Sequence, residues 1–526
     1  MSGMFSNPLR AIRGLLPSTI TSDEKIGFAR FHNEVSRSNT ETEIHKLSTV
    51  NGSLASGQRS GKSSGATTPA ARGDPEGTMP DWPEEDEVTE DKIKAIDKIS
   101  VWQAGWNVTN AIQGMFIVSF PYTVLEGGYA ALFFIVLIAY VCCYTGKILV
   151  DCLYETNEDG QRRRVRDSYV AIAGYVWGHR VGGRIVYTAQ LIELLMTCIL
   201  YVLLCGMLMR GSFPSAPLSL SCWVMLCSTL LLPCAFLRNL RHVSWLSFWC
   251  TVAHLIINAI ILVFCFSRAA HWKWSEVHVK VDWWTFPVSL GIITFSYTSQ
   301  IFLPSLEGCM AQRERFSCMM HWTHTAAALF KAGFAYIGYI TFGVATMEVI
   351  TNNLPNHSMR VIINLILVIK ALLSYPLPYF QAADLLEASF FKGRPETPFP
   401  SCYEASGSLK TMGLVMRLVL VEVTVVMAIF IPKFALLMGL IGSITGNMLS
   451  LIWPCYFHLR IKGATLPFYQ KVVNISIIVF ALLCSGVGLY SSAHALAQSF
   501  KGIDLKPFSH AGAPLHHIDS AAGTEL

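Results

Sequence analysis

Long apolar runs, separated by short polar segments, fill the chain from Val101 to about residue 495. A membrane-spanning helix needs about 20 predominantly apolar residues, and most of these runs reach that length. The pattern predicts an all-α polytopic membrane protein with about 11 transmembrane helices. We place them at residues 102–124, 129–152, 184–209, 217–237, 243–267, 286–306, 319–343, 359–389, 412–431, 434–458 and 470–495.

The first hundred residues have a different character from the rest of the chain. They are polar, and their Gly/Ser-rich stretch at residues 51–73 cannot bury enough apolar surface to offset its ordering entropy. No signal peptide is recognisable at the N-terminus, so the first span is expected to direct membrane insertion. We predict a disordered cytosolic tail at 1–100, a transmembrane domain at 101–495 and a short luminal C-terminal tail at 496–526.

The basic residues predict the orientation in the membrane. Most Lys and Arg residues between the predicted spans lie on the side of the N-terminal tail, as in the run Arg162–Arg164. The positive-inside rule therefore predicts a cytosolic N-terminus and, for an odd number of spans, a luminal C-terminus. The sequon Asn356-His357-Ser358 falls in a loop assigned to the luminal side, so we predict glycosylation at Asn356.

Composition excludes several classes of function. Only 14% of the residues are charged, against about 25% in a typical soluble domain, and the net charge of +5 forms no basic face for nucleic acid. The 15 cysteines have no zinc-site spacing, and no hydrolase or Walker-type motif occurs, so we expect neither a metal site nor an enzyme. Cys205 and Cys222 flank one short luminal loop, where a disulfide is one alternative; we favour the other, in which both cysteines lie within helices.

Two of the predicted spans are interrupted by polar residues and helix breakers. The first contains Gly114 and then Pro121, and the sixth contains the polar run Ser296–Gln300 and then Pro304. Exposed backbone groups are costly in hydrocarbon, so such breaks are tolerated inside protein or beside a cavity. Breaks five spans apart favour an inverted-repeat transporter with its substrate site at the breaks. The alternative is that these small residues only serve helix packing.

Broken helices of this kind suit a zwitterionic amino acid. The N-terminus of a half-helix offers unpaired N–H groups and a partial positive charge to a carboxylate, and Gly114 permits close approach to the backbone. The hydroxyl groups of the sixth span would receive an ammonium group. The predicted substrate-binding residues are Asn110, Gln113, Gly114, Met115, Phe295, Ser296, Tyr297, Thr298 and Ser299.

Ionisable residues inside apolar runs are candidates for coupling transport to protons, because intramembrane charges are expensive. They are Glu193, His254, Lys331, Lys370 and Glu422. We predict proton coupling by Glu193, Lys370 and His254, with Glu193 the strongest candidate. The alternatives are an ion pair of Glu193 with Lys331 or Lys370, and a hydrogen-bonded core role for His254. Gly442 and Gly446 form a GxxxG pattern that we interpret as helix packing.

Five sequence blocks resemble a known group of transporters. The blocks at residues 102–116, 141–149, 166–173, 295–308 and 370–378 are similar to the vesicular inhibitory amino acid transporters of the amino acid/auxin permease family. The resemblance implies a leucine-transporter-like 5+5 inverted repeat with broken helices 1 and 6, plus one extra helix.

The resemblance also implies a function. It is proton-coupled antiport of GABA and glycine, and by the same chemistry β-alanine, into synaptic vesicles. A separate vesicular proton pump would supply the gradient, and chloride is an additional candidate ion. No cofactor other than the coupling proton is implied. The alternatives are a plasma-membrane or lysosomal member of the family, coupled to sodium, and a non-transporting receptor that keeps the fold.

Overall fold

The structure is a computed structural model that describes residues 99–156, 160–178, 181–233, 241–277, 281, 284–390 and 410–501. The predictions for the tail before residue 99 and for the chain after residue 501 lie outside the described residues. The described chain forms helices α1 (Val101–Ile112), α2 (Phe120–Asp151), α3 (Tyr169–Trp177), α4 (Gly182–Ser212), α5 (Leu220–Thr229), α6 (Arg241–Ser267), α7 (Phe286–Ser296), α8 (Leu303–Cys309), α9 (Phe316–Phe342), α10 (His357–Ser374), α11 (Pro376–Phe390), α12 (Thr411–Phe430), α13 (Phe434–Ile441), α14 (Trp453–Lys462) and α15 (Phe468–Phe500).

The protein is a helical membrane protein. In the described residues, seven helical segments are long and apolar enough to cross a membrane, and three shorter apolar helices accompany them. Two predicted spans differ from the structure. Among the described residues up to 233, the helix predicted at 217–237 covers Leu220–Thr229, and the span predicted at 359–389 is two helices that meet at Tyr375. Pro376 follows that junction, and proline lacks the N–H group that a continuous helix requires.

The first predicted span is broken in its middle, as the sequence indicated. Helix α1 begins at Val101, directly after the N-cap residue Ser100, whose side chain forms a capping box with Gln103, and it ends at Ile112. Gly114 is not helical, and the chain resumes as a 3₁₀ turn at Met115–Ser119 that leads into α2. Gly128, with φ of 55°, then kinks α2. This kinked helix contains the end of the first predicted span and the second predicted span as far as Asp151.

The sixth predicted span is broken in the same way. Helix α7 ends at Ser296, and helix α8 resumes at Leu303 with Pro304 in its first turn. The far end of α8 lies beside the start of α1, because the Ile99 amide donates to the Cys309 carbonyl over 2.9 Å. We call the membrane-domain surface where these two ends meet the tail face.

A short hairpin that the sequence analysis did not predict covers the tail face. Strands β1 (Tyr154–Thr156) and β2 (Arg162–Arg164) pair antiparallel directly after α2. The Arg164 guanidinium donates to the carbonyl oxygen of Pro304 over 2.8 Å, so the hairpin contacts the second half-helix of the broken pair.

Helix α7 crosses the tenth predicted span at very close range. Between α13 and α14 this span forms two π-helical turns, Gly442–Gly446 and Met448–Ile452. A side chain at Gly442 would overlap the carbonyl group of Gly291, which confirms the packing role predicted for Gly442. A Cβ atom at Gly446 would make only ordinary contacts, the nearest with Thr298 Oγ1 at 3.5 Å, so close packing does not require a glycine at this position.

Candidate functional site

A cavity of about 210 Å³ lies between the two helix breaks. Ala111 in its wall is exposed, so the cavity reaches the surface of the described protein. Its walls include Asn107 of α1 and Leu303 and Leu306 of α8, the two half-helices that run from the breaks to the tail face, so the cavity extends from the breaks in that direction. The polar and charged residues that line it are Asn107, Asn110, Glu193, Thr197, Tyr201, Ser296, Thr298, Ser299, Lys331, Lys370, Ser374 and Gln381.

Aromatic rings close the cavity on the side away from the tail face. Phe116, just beyond the first break, has its ring centroid 5.2 Å from that of Tyr201 and 5.4 Å from that of Phe295, beside the second break. Phe434, the first residue of α13, lies 6.0 Å from Phe116 and is fully buried. The two breaks therefore meet at one aromatic cluster, with the cavity on its tail-face side.

Glu193 projects from α4 into the cavity with one carboxylate oxygen unpartnered. Its Oε2 accepts a short hydrogen bond from Thr445 in the first π-helical turn, whereas its Oε1 is buried with no hydrogen-bond partner. The side chain is 4% exposed. Within the described residues Glu193 forms no ion pair, so the alternative pairing with Lys331 or Lys370 is not observed. An unpartnered carboxylate oxygen beside a cavity is chemically suited to a proton or a ligand ammonium group.

Lys331 contacts the second break from α9. Its Nζ donates to the Ser296 carbonyl oxygen over 2.9 Å and to Ser296 Oγ over 3.0 Å. The ammonium also lies 3.7 Å from the centroid of the buried Tyr297 ring, a cation–π geometry. Both oxygens of Ser296 are therefore occupied by a protein ammonium, at the place where the sequence analysis expected the ammonium of a substrate.

The other two predicted proton-coupling residues are buried near the first break. Lys370, on α10, lines the cavity. His254, on α6, does not line it, but lies close enough to Lys370 and to the Gly114 backbone to interact electrostatically. Neither ring nitrogen of His254 has a partner of full hydrogen-bond geometry, although the ring lies within hydrogen-bonding range of the Gly114 backbone, so proton coupling by His254 stays a prediction beside the alternative of a hydrogen-bonded core histidine.

Most of the predicted substrate-binding residues share this one cavity. Those that line it are Asn110, Gly114, Met115, Phe295, Ser296, Thr298 and Ser299. Gln113 and Tyr297 are absent from its lining: Gln113 caps the end of α1, and Tyr297 lies beneath Lys331. Helix rotation decides which residues of a broken segment face the cavity, and sequence alone does not specify that rotation.

The sequence analysis missed several lining residues, of which Asn107 and Lys331 are the most informative. Both amide atoms of Asn107 are buried without a hydrogen-bond partner. Asn107 is three residues before Asn110, and residues at that spacing share a helix face, so the period of α1 was a usable signal. Lys331 was recognised as an intramembrane charge, but its position at Ser296 depends on the packing of α9 against the break.

A buried carboxylate ties the hairpin to the second half-helix. Glu307 of α8 accepts a short hydrogen bond from Tyr154 of β1 and lies 3.6 Å from Arg164 of β2 and 3.9 Å from Arg313. Burial, followed by the hydrogen bond to Glu307, raises the pKa of Tyr154 to about 12. This tail-face cluster fixes α8, whose residues Leu303 and Leu306 form a wall of the cavity.

The remaining predicted features lie away from the cavity. Asn356 is exposed and caps α10, accepting from the Met359 amide over 3.2 Å; its glycosylation stays a prediction. Cys205 and Cys222 are free thiols within α4 and α5. Glu422 is exposed on the outer surface of α12. No cluster of His, Cys, Asp or Glu in the described part of the chain has metal-site geometry.

Comparison with known proteins identifies the relatives of this chain. The profile of a family described as transmembrane amino acid transporter proteins matches residues 97–493. The vesicular inhibitory amino acid transporter of Xenopus tropicalis is 52% identical over 407 residues, which cover 77% of this chain and 78% of that protein. The vesicular GABA transporter of Caenorhabditis elegans is 43% identical over 412 residues, which cover 78% and 83%. Among solved structures, the inward facing conformation of Mhp1 has a TM-score of 0.45 at 12% identity, covering 78% of this chain and 92% of that one.

Proposed function

Because the chain belongs to the transmembrane amino acid transporter family, we propose that it loads small inhibitory amino acids into vesicles in exchange for protons. The substrates are GABA and glycine, with β-alanine as a further candidate, since all three carry one carboxylate and one ammonium group. The names of the relatives from Xenopus and Caenorhabditis support the substrate class and the vesicular location. Synaptic vesicles, with a separate proton pump as the energy source, are the proposed setting.

Glu193 is the group that links substrate to protons in this proposal. The observation that carries it is the unpartnered Oε1 of a buried carboxylate in the wall of the cavity. A charged carboxylate in such a place needs a counter-charge, which either a proton or the substrate ammonium supplies. The two therefore compete for Glu193, and a proton arriving from an acidic lumen displaces the substrate into that lumen.

Alternating access around the two breaks would move the substrate. In the described conformation the cavity extends toward the tail face, and the Phe116 cluster closes the opposite side. We include the finer architecture in the proposal: about 11 helices, as two inverted five-helix repeats and one extra helix, with the tail face cytosolic and the C-terminus luminal. The breaks at Gly114 and after Ser296 support it, since they occupy corresponding positions of the two halves.

The test is Glu193→Gln in proteoliposomes that contain the purified full chain. With an acidic interior, wild-type protein should accumulate labelled GABA, and Glu193→Gln should reduce this driven uptake to near background. Glu422→Gln is the matched control, because it removes a carboxylate from the exposed surface of α12 and should leave uptake unchanged. Undiminished driven uptake by Glu193→Gln would remove Glu193 from the mechanism.

The same liposomes separate the proposed proton coupling from its alternatives. An imposed sodium gradient without a pH gradient should drive no accumulation, whereas sodium-driven uptake would favour the sodium-coupled alternative. Replacing chloride by gluconate on both sides tests chloride as a second coupled ion. A chain without saturable GABA uptake under any of these gradients would instead be a non-transporting relative.

A further inference from the structure

Lys331 is a buried cation without a counter-charge. Its side chain is 1% exposed, and among the described residues it forms no ion pair with Asp or Glu. Its two hydrogen bonds both go to Ser296 at the end of α7, where the last carbonyl groups of a helix carry partial negative charge. A helix end and one hydroxyl group neutralise a full positive charge only in part.

The surroundings of the ammonium leave one direction open. An ammonium group has three N–H donors, of which Ser296 receives two. The Tyr297 ring, 3.7 Å away, and the Phe120 ring, 5.1 Å away, are buried and provide acceptor faces but no anion. Lys331 is nevertheless part of the cavity wall. An anionic group that enters the cavity would therefore complete both its hydrogen bonding and its charge balance.

We propose that the Lys331 ammonium binds the carboxylate of the transported amino acid. This assignment rests on the proposed function and gives the substrate an orientation: its carboxylate lies at the second break, and its ammonium points toward Glu193. It reverses the orientation at the second break that the hydroxyl groups of Ser296–Ser299 suggested from sequence. The cavity then has a cation, Lys331, and an anion, Glu193, on different helices. Because both groups need a partner on the ligand, the cavity would bind zwitterions more tightly than simple amines.

The experiment compares two ligands that differ only in the group that Lys331 would recognise. GABA and 4-aminobutanamide share the chain and the ammonium group, but the second has a neutral amide in place of the carboxylate. Their affinities for the full chain in detergent are measured by calorimetry or by displacement of labelled GABA. We expect the wild type to prefer GABA by about 10- to 100-fold, since one buried charge-assisted contact is at stake.

Two substitutions and one control locate this preference. Lys331→Met should bring the ratio of the two affinities close to 1, and Lys331→Arg should restore much of it, because a guanidinium also binds carboxylates. Lys370→Met, which removes the other lysine of the cavity, should keep the acid-over-amide preference whatever its effect on total affinity. Retained binding of 4-aminobutanamide by Lys331→Met shows that the variant is folded.

Several results would overturn the assignment. They are an unchanged ratio in folded Lys331→Met, a ratio that collapses in Lys370→Met instead, and a wild type that binds both ligands equally. Equal binding of the two ligands by the wild type would overturn the assignment even when Lys331→Met fails to fold. Chloride is a further case. If chloride competes with GABA only when Lys331 is present, and the acid-over-amide ratio is the same in wild type and Lys331→Met, then Lys331 binds an inorganic anion and not the substrate carboxylate. Proton-driven GABA uptake by the wild type tests the proposed function separately, so the two ideas fail by different measurements.

Discussion

Thr445 has one hydroxyl proton and two acceptors within reach. It donates a short hydrogen bond to Glu193 Oε2, and the carbonyl oxygen of Ile441 lies 3.3 Å from the same hydroxyl oxygen. When Glu193 is ionised, its carboxylate is the stronger acceptor. When Glu193 is protonated, Thr445 is free to donate back to Ile441 in its own helix. The hydrogen-bond acceptor of the Thr445 hydroxyl therefore changes with the protonation state of Glu193, and this change alters the hydrogen bonding of the π-helical turn.

A substitution at Thr445 tests this coupling. Thr445→Val keeps the shape but removes the donor, and a hydrogen bond to a charged group is worth about 1.5–3 kcal/mol. We expect proton-driven GABA uptake to fall by roughly tenfold or more, while Thr445→Ser, which keeps the hydroxyl group, stays within about threefold of wild type. Initial uptake rates in proteoliposomes measure both. Equal rates in Thr445→Val and wild type would mean that Thr445 only packs against α4.

At the scale of helices, the crossing of α7 with the π-helical turn connects Glu193 to the second break. Gly291 in α7 faces Gly439 and Gly442, and the backbones meet so closely that a side chain at either Gly291 or Gly442 overlaps a carbonyl group. The π-helical turns place Thr445 on α4 while Gly442 remains against α7. Such turns occur often at functional sites, because they change which residues of one helix face two neighbours.

This crossing predicts a sharp difference between two nearby glycines. Gly442→Ala forces a methyl group into the Gly291 carbonyl, and we expect it to destabilise the protein by about 1–3 kcal/mol or more. Gly446→Ala, four residues later, meets its nearest atom at 3.5 Å and should be tolerated. Apparent melting temperatures of the two variants in the same detergent give the comparison. Similar melting temperatures would show that the crossing relaxes easily.

At the scale of the whole molecule, different contacts secure the two sides of the cavity. The tail face is held by the hairpin and its cluster around Glu307. On the other side Glu348, between α9 and α10, accepts a hydrogen bond from the Ala435 amide over 3.3 Å at the start of α13, next to Phe434 of the aromatic cluster. Protonation of Glu348 would weaken that contact on the side proposed to face an acidic lumen.

Glu348 also predicts a pH dependence of stability. Burial raises the pKa of Glu348 above its usual range, against the opposing effects of the Ala435 amide and Lys433, and with a small contribution from Glu126. A raised carboxyl pKa favours the folded state most below pH 4.5, and this stabilisation is lost as pH rises through the folded pKa. Glu348→Gln should therefore gain in melting temperature relative to wild type as the pH rises above 4.5. A difference that is constant, or that moves in the opposite direction with pH, would contradict the raised pKa.

Much of the architecture could be derived from local sequence. Apolar runs specify spans, because a helix must satisfy its own backbone groups in hydrocarbon, and the breaks at Gly114 and after Ser296 follow from breakers and polar residues at membrane depth. Glu193 was identifiable for the same reason, since a carboxyl group inside an apolar run is costly unless it is used. These inferences depend only on residues close together in the chain.

Tertiary packing decided the rest. Glu193 meets Thr445, and Lys331 meets Ser296, across large separations in sequence, and Gln113 and Tyr297 turn away from the cavity although their neighbours line it. Composition identifies a helix, but its rotation and crossing partners depend on side-chain fit with distant helices. The chain alone thus determined that a membrane transporter with two broken helices would form. Only the folded arrangement placed one carboxylate and one ammonium on different helices around a single cavity.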